Sequence, residues 1–195
     1  MEVQCTIKGI TPILFNRFHE ENEVKVSSGI SAVHMGHRGL PREAARKTAY
    51  IDDNGILYYP MQNVFAAIIE AGRFHKLGKS KVSTLKTSLV PAGLSIKEVI
   101  SSFNTDDFEV DSRSVVIPAT GGRVMKHRAR LDEWQLSFIL IIDEEVFYEK
   151  VVRILVDDAG KKIGIGDFRP SKRGLFGKFA VVEWKKDGCL NQQPE

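Results

Sequence analysis

GKKIGIGDFRPSKRGLFGKF, residues 160–179, stands between a predicted helix and the last predicted strand of the chain. It sets Gly160, Gly164, Gly166, Gly174 and Gly177 among Lys161, Lys162, Arg169, Lys172, Arg173 and Lys178. Glycine takes positive φ without penalty and lets backbone N–H groups come close to an anion, while the interleaved cations attract phosphate. A loop of this composition suits a nucleic-acid backbone. The competing reading is a plain glycine-rich connection whose lysines are solvated.

Upstream of the loop, Asp143 is expected to cap a helix, with Glu144 and Glu145 in the first turn where they complement the macrodipole. Phe147, Val151, Ile154 and Leu155 supply its expected buried stripe, and Gly160 its end. Downstream, residues 179–184 read as a terminal strand and residues 187–195 as a disordered tail. At the other end of the chain, residues 2–10 alternate Val3, Cys5 and Ile7 against Gln4, Thr6 and Lys8, the period of a half-buried strand. Residues 48–51 and 56–59 flank Asp52-Asp53-Asn54-Gly55, a hairpin signal, because Asn-Gly accepts the positive φ angles of a tight turn. Residues 61–71 carry Val64, Phe65, Ile68 and Ile69 on one face and stop before Gly72, which predicts an amphipathic helix with a glycine stop. Residues 114–117 are a short β-branched run leading into the turn Pro118-Ala119-Thr120-Gly121-Gly122, and residues 124–131 and 134–142 then read as further strands.

In order these elements give strand, a long insertion with a hairpin, helix, strand, strand, helix, strand. The expected fold class is therefore α+β, with a ferredoxin-like βαββαβ (RRM-like) core and a glycine-rich loop before the last strand. A single domain over residues 1–186 is expected, with insertions at about 15–47 and 73–111. Long polar loops inside a compact domain tend to be functional.

The chain of 195 residues is 43% hydrophobic, as globular proteins are, and no apolar run approaches the roughly 18 to 20 residues that span a bilayer. The start lacks the basic and apolar regions of a secretory signal, so the expectation is a cytoplasmic protein with no membrane partner. Cys5 and Cys189 form neither a metal spacing nor a disulfide framework. Net charge is only +3, so bulk electrostatics alone do not make a nucleic-acid binder. The bases, however, gather at residues 38–47, 76–86, 123–130 and 161–178. Separate loops of this kind can build one basic face.

The stretch from Gly164-Ile165-Gly166 through Arg169 to Gly174-Leu175-Phe176-Gly177-Lys178-Phe179 resembles the glycine-rich loop of the RAMP superfamily of CRISPR-associated proteins. Leu57-Tyr58-Tyr59-Pro60-Met61-Gln62-Asn63-Val64-Phe65-Ala66-Ala67 is similar to the strand, Pro, helix junction that opens their first helix. The resemblance, which extends to short RAMP-like proteins of phages and mobile elements, implies RNA held along a basic surface by subunits repeating along the strand. It also implies a projecting hairpin, for which residues 114–131 with Arg123, Lys126, His127, Arg128 and Arg130 are the candidate.

The candidate nucleic-acid-binding residues are Lys161, Lys162, Gly164, Gly166, Arg169, Lys172, Arg173 and Lys178 in the loop, Arg123, Lys126, His127 and Arg128 in the hairpin, and Arg17 and Arg38 in the first insertion. Phe168 and Phe176 either stack bases or anchor the loop. No spacing among His19, His34, His37, His75 and His127 demands catalysis, and His34-Met35-Gly36-His37 lacks further metal ligands nearby. Asp52-Asp53, Asp106-Asp107 and Asp157-Asp158 are expected at a turn, on the surface and solvated at a helix end. The expectation is sequence-independent binding of guide RNA, without catalytic residues, metal or cofactor, in a homo-oligomer or with other effector subunits. Alternatives are a phage-type single-stranded DNA-binding or annealing protein, a metal-independent endoribonuclease, and a protein scaffold with no nucleic-acid role.

Overall fold

The computed structural model describes residues 1–17, 40–116 and 121–186. Its central sheet is built from β1 (Glu2–Gly9), β6 (Leu94–Ile96), β10 (Gln135–Ile142) and β11 (Phe179–Lys186), in the order β11-β1-β10-β6, every neighbouring pair antiparallel. Burial alternates along β10 and along β1 except at Thr6, which is also buried. Val3, Cys5 and Ile7 and, opposite them, Leu136, Phe138, Leu140 and Ile142 are buried, whereas Gln4, Lys8, Gln135 and Ser137 are exposed on the other face. Helices α2 (Met61–Ala71) and α4 (Glu149–Asp158) pack on the buried face, α2 through Met61, Val64, Ala67 and Ile68 and α4 through Val152, Leu155 and Val156. The chain is thus α+β with antiparallel sheets.

α2 ends before Gly72 as expected, but Gly72 does not take the left-handed conformation of a glycine stop. Its φ is −55°, and the chain continues through a 3-10 turn, Gly72–Phe74. What selects glycine there is space, since a Cβ would strike Ser83 Oγ. The expected stripe of α4 is also displaced: Ile154 is half exposed, and Val152 and Val156 take the buried positions. The cause is a later start. Asp143 accepts the N–H groups of Val146 and Phe147 on its backbone oxygen and that of Glu145 on its side chain, closing a separate turn, so the helix begins at Glu149 with a different phase. Gly160 does not end it either. The backbone runs on through a π turn, Ala159–Ile163, and Gly164, at φ 72°, is the residue that reverses direction. Gly160 is required because a Cβ would collide with the carbonyl of Phe179.

The second strand of the central sheet is β6, inside the stretch 73–111 expected to be an insertion. Residues 124–131, read as that strand, instead belong to a second sheet of β2 (Ile13–Leu14), β8 (Glu109–Val116) and β9 (Arg123–Leu131), in the order β2-β9-β8. β8 is longer than expected because residues 109–113 alternate Glu109, Asp111 and Arg113 with Val110 and Ser112, a pattern the acidic cluster hides. The first insertion contributes α1 (Pro41–Arg46), whose Ala44 and Ala45 are buried and which packs on β9. Between α2 and β6 lie a tight hairpin, β4 (Lys76–Leu77) with β5 (Ser80–Lys81), and the short α3 (Val90–Gly93). The expected turn at 52–55 is present: Asp52 accepts the Gly55 N–H and Ile51 bridges Leu57, leading into β3 (Tyr58–Pro60), which pairs with β7 (Ile100–Ser102). Residues 48–51 form a bend and that bridge and not a strand. The tail 187–195, the centre of the hairpin turn and the His34 to His37 motif lie outside the described residues. No helix among the described residues is long and apolar enough to cross a membrane.

Candidate nucleic-acid interface

Residues 164–178 are held by short hydrogen bonds, and the N–H groups of Gly164, Ile165, Gly166, Asp167 and Gly177 are all taken by other groups of the protein. Gly164 N–H donates to the carbonyl of Ala159 at 2.7 Å, and Gly166 N–H to Tyr59 Oη at 2.8 Å. Ile165 N–H reaches Gly177 O, Gly177 N–H reaches Pro12 O and Asp167 N–H reaches Leu14 O, all at 2.8 to 2.9 Å. The expectation of a phosphate cradle made from the amides of Gly164 and Gly166 is therefore corrected, because both donors are already taken by the protein. These glycines serve geometry. Gly164, Gly166 and Gly177 have φ of 72°, 78° and 69°, and a Cβ on Gly177 would overlap the Ile165 carbonyl. Tyr59, 2% exposed, has its phenol pushed well above the ordinary tyrosine range by burial, so it stays neutral as the acceptor of the Gly166 N–H.

With the amides spent, anion attraction is left to side chains. Lys161, Lys172 and Arg173 are exposed, Lys172 and Arg173 at the end of the 3-10 turn Pro170–Lys172. Arg173 adopts φ 62°, a left-handed conformation unusual for arginine, and this turns the chain sharply at the loop's outer corner. Arg169 is half-buried and donates from Nε to Ser171 Oγ and from Nη1 to Gly166 O, both at 3.0 Å, so it holds the loop together. Lys162 pairs with Asp158 at 2.6 Å and lies over the Phe74 ring. Lys178 is partly buried, and its backbone bonds Thr11 and Ile10. Arg17 donates its backbone N–H to Thr48 O, and Arg38 lies outside the described residues.

The hairpin β8–β9 joins the loop through a charged face. Glu109, Asp111 and Arg113 stand opposite Arg130, Arg128 and Lys126 in register. Arg128 is 7% exposed and its Nε lies 2.7 Å from Asp167 Oδ2 in the loop, while Nη1 has no hydrogen-bond partner among the described residues. Its guanidinium also sits over the Phe168 ring at 4.9 Å. Arg113 makes a two-pronged bond to Asp111 and covers Phe176 at 4.8 Å and Phe168 at 5.7 Å. The two loop phenylalanines thus anchor loop to hairpin through arginine–ring contacts, and Phe168 accepts φ 48° to reach its place. Lys126, directly opposite Arg113, has its ammonium pKa lowered first by burial and then by Arg128. On the other face His127 Nδ1 and Ser112 Oγ share a 2.7 Å hydrogen bond, and Arg123 is exposed at the distal end.

Arg113, Asp111 and Asp167 were not among the sequence candidates. A two-residue alternation running through 109–113 was the signal available for the first two; for Asp167 there was none, since its partner is 39 positions away in β9. Asp157 and Asp158, expected to be solvated, are both engaged. Asp157 meets Arg153, and Asp158 accepts from Lys162 and lies 2.7 Å from His75 Nε2.

No family model matches the chain, and no curated protein matches its sequence. Among solved structures, the fold is similar to that of a chain in the cryo-EM structure of the Type III-B Cmr-beta bound to cognate target RNA, with a TM-score of 0.57 at 11% identity. The likeness covers 94% of this chain and 59% of that one, so this chain spans well under two thirds of the length of its structural neighbour. What the two share at this identity is the fold.

Proposed function

We propose that this chain is an RNA-binding subunit of a CRISPR-type ribonucleoprotein, holding a single strand by its phosphates without regard to sequence. In this reading the central sheet is a ferredoxin-like core of RAMP type, and subunits repeat along the strand in the cytoplasm. The observation that carries it is the docking of the glycine-rich loop onto the basic hairpin through Arg128, Asp167 and the two phenylalanines. This leaves Lys161, Lys172 and Arg173 on one partner and Arg123 on the other exposed. The strand order β11-β1-β10-β6 and the likeness to a chain of an RNA-bound complex support the same reading.

The grip differs in kind from an amide cradle. Exposed lysine and arginine side chains neutralise phosphates and release counterions, a term indifferent to base identity. The test is a Lys172→Ala, Arg173→Gly double variant. It removes two cations while glycine keeps the left-handed backbone of position 173. Affinity for unrelated RNA sequences should fall alike, and the slope of log affinity against log salt should lessen by about 1.4. Unchanged affinity removes the loop from the interface. Stronger binding of DNA of the same sequence in competition would favour the DNA-binding alternative, since only RNA offers the 2′-hydroxyl.

A further inference from the structure

Beneath the glycine-rich loop lies a cavity of about 240 Å³. Asn63, Ala66 and Glu70 on α2 form one wall, Tyr50 and Tyr59 another, and residues 164–167 with Arg169 the third. Its aromatic wall is rigid. Tyr59 is locked by the Gly166 N–H and by edge contacts to Phe15 and Phe103, and the half-buried Tyr50 packs edge-on against Tyr59 at 6.0 Å. The neighbouring basic surface raises the question of what enters.

Phosphate does not suit this cavity. Two carboxylates, Glu70 and Asp167, line it, and the guanidinium of Arg169 already donates to Gly166 O and Ser171 Oγ. A metal ion does not suit it either: Asp167 is paired with Arg128, and no group of three or more metal-ligating side chains occurs among the described residues. The volume falls below the roughly 300 Å³ at which sites for drug-sized ligands begin. What remains is a small planar ring that packs against the half-buried Tyr50 and whose edge offers N–H donors to carboxylate and amide oxygens. A nucleobase has that chemistry.

We infer that the cavity takes one unstacked base of the bound strand, turned inward while the outer cations hold the phosphates on either side. The inference rests on the single-strand reading above and adds a base contact to it. Stacking on aromatic side chains is sequence-tolerant, so a base pocket of this kind is compatible with binding indifferent to sequence.

The experiment compares a single-stranded RNA with a base-less spacer strand of the same length and phosphate number, each titrated against wild type, Ala66→Phe and Ala66→Ser. Ala66 is exposed on α2 at the cavity wall, so phenylalanine there fills the opening from a position that tolerates it, and serine leaves it open. Ala66→Met repeats the filling with a flexible side chain, and thermal melting checks that each variant is folded. Wild type and Ala66→Ser should bind the RNA about five- to a hundredfold more tightly than the base-less strand. The filled variants should lose that advantage while keeping the affinity of wild type for the base-less strand. Equal wild-type affinity for the two strands, or an advantage that survives filling, overturns the pocket and leaves the phosphate grip standing. Failure of wild type to bind either strand at low salt ends both.

Discussion

Asp158 illustrates how a side chain expected to be idle becomes a joint. Burial raises its pKa, but hydrogen bonds from Lys162 and His75 outweigh that and hold the carboxyl below its ordinary value. A depressed carboxyl stabilises the fold at pH values above the unfolded pKa near 4, and the contribution is lost as pH falls through the folded value. Asp158→Asn should therefore lower stability by about 1 kcal/mol at pH 7. In urea titrations the gap between variant and wild type should shrink toward pH 3. A gap of the same size at both pH values would show that the charge of Asp158 is not what matters. Cys5 is the contrasting case: burial pushes its thiol up to about 12, which leaves it protonated and inert inside the sheet.

At the scale of elements, the glycine-rich loop is held by its own backbone. Gly177 both accepts from Ile165 N–H and donates to Pro12, which ties the loop to the segment between β1 and β2. Gly177→Ala combines positive φ with overlap on a carbonyl, and should cost more than about 1 kcal/mol in chemical denaturation. A near-neutral effect would mean that this loop relaxes easily around the added methyl group. The hairpin β8–β9 shows the complementary strategy. Like charges at Arg113 and Lys126 face each other; Asp111 offsets Arg113 within its own strand, and Asp167 of the loop offsets the neighbouring Arg128.

Over the whole molecule, a net charge of +3 is small, so attraction for a polyanion depends on how charge is distributed. Acids are tied to particular bases, as Asp107 to Arg42, Asp157 to Arg153 and Glu149 to Lys186, while Lys161, Lys172 and Arg173 stay exposed on the glycine-rich segment. Binding of wild type to single-stranded RNA, measured by anisotropy at several potassium chloride concentrations, should therefore weaken linearly in log–log form. A slope near 0.7 per phosphate neutralised is expected for a single strand. An affinity that does not change with salt would show that phosphate contacts carry little of the interaction.

Much of this was legible from residue patterns that are local. The period of two in residues 2–10, the apolar face of residues 61–71, the Asp-Asn-Gly turn and the composition of residues 160–179 each declare an element or a charge without reference to distant chain. Those signals suffice for an α+β chain with a loop of glycines and cations before its last strand. Tertiary structure decided which strands share a sheet. β6 is only three residues long and joins β10, whereas the stronger pattern in β9 goes to the second sheet, because pairing depends on edges made available by distant segments. It also decided the character of the loop. Whether a glycine N–H faces a ligand or a carbonyl depends on what chain passes beneath it, and here Tyr59 and Pro12, both far away in sequence, take the donors of Gly166 and Gly177. Hydrogen-bond partners contributed by remote segments leave no periodic trace along a chain, which is why the glycines were foreseeable and the direction of their amides was not.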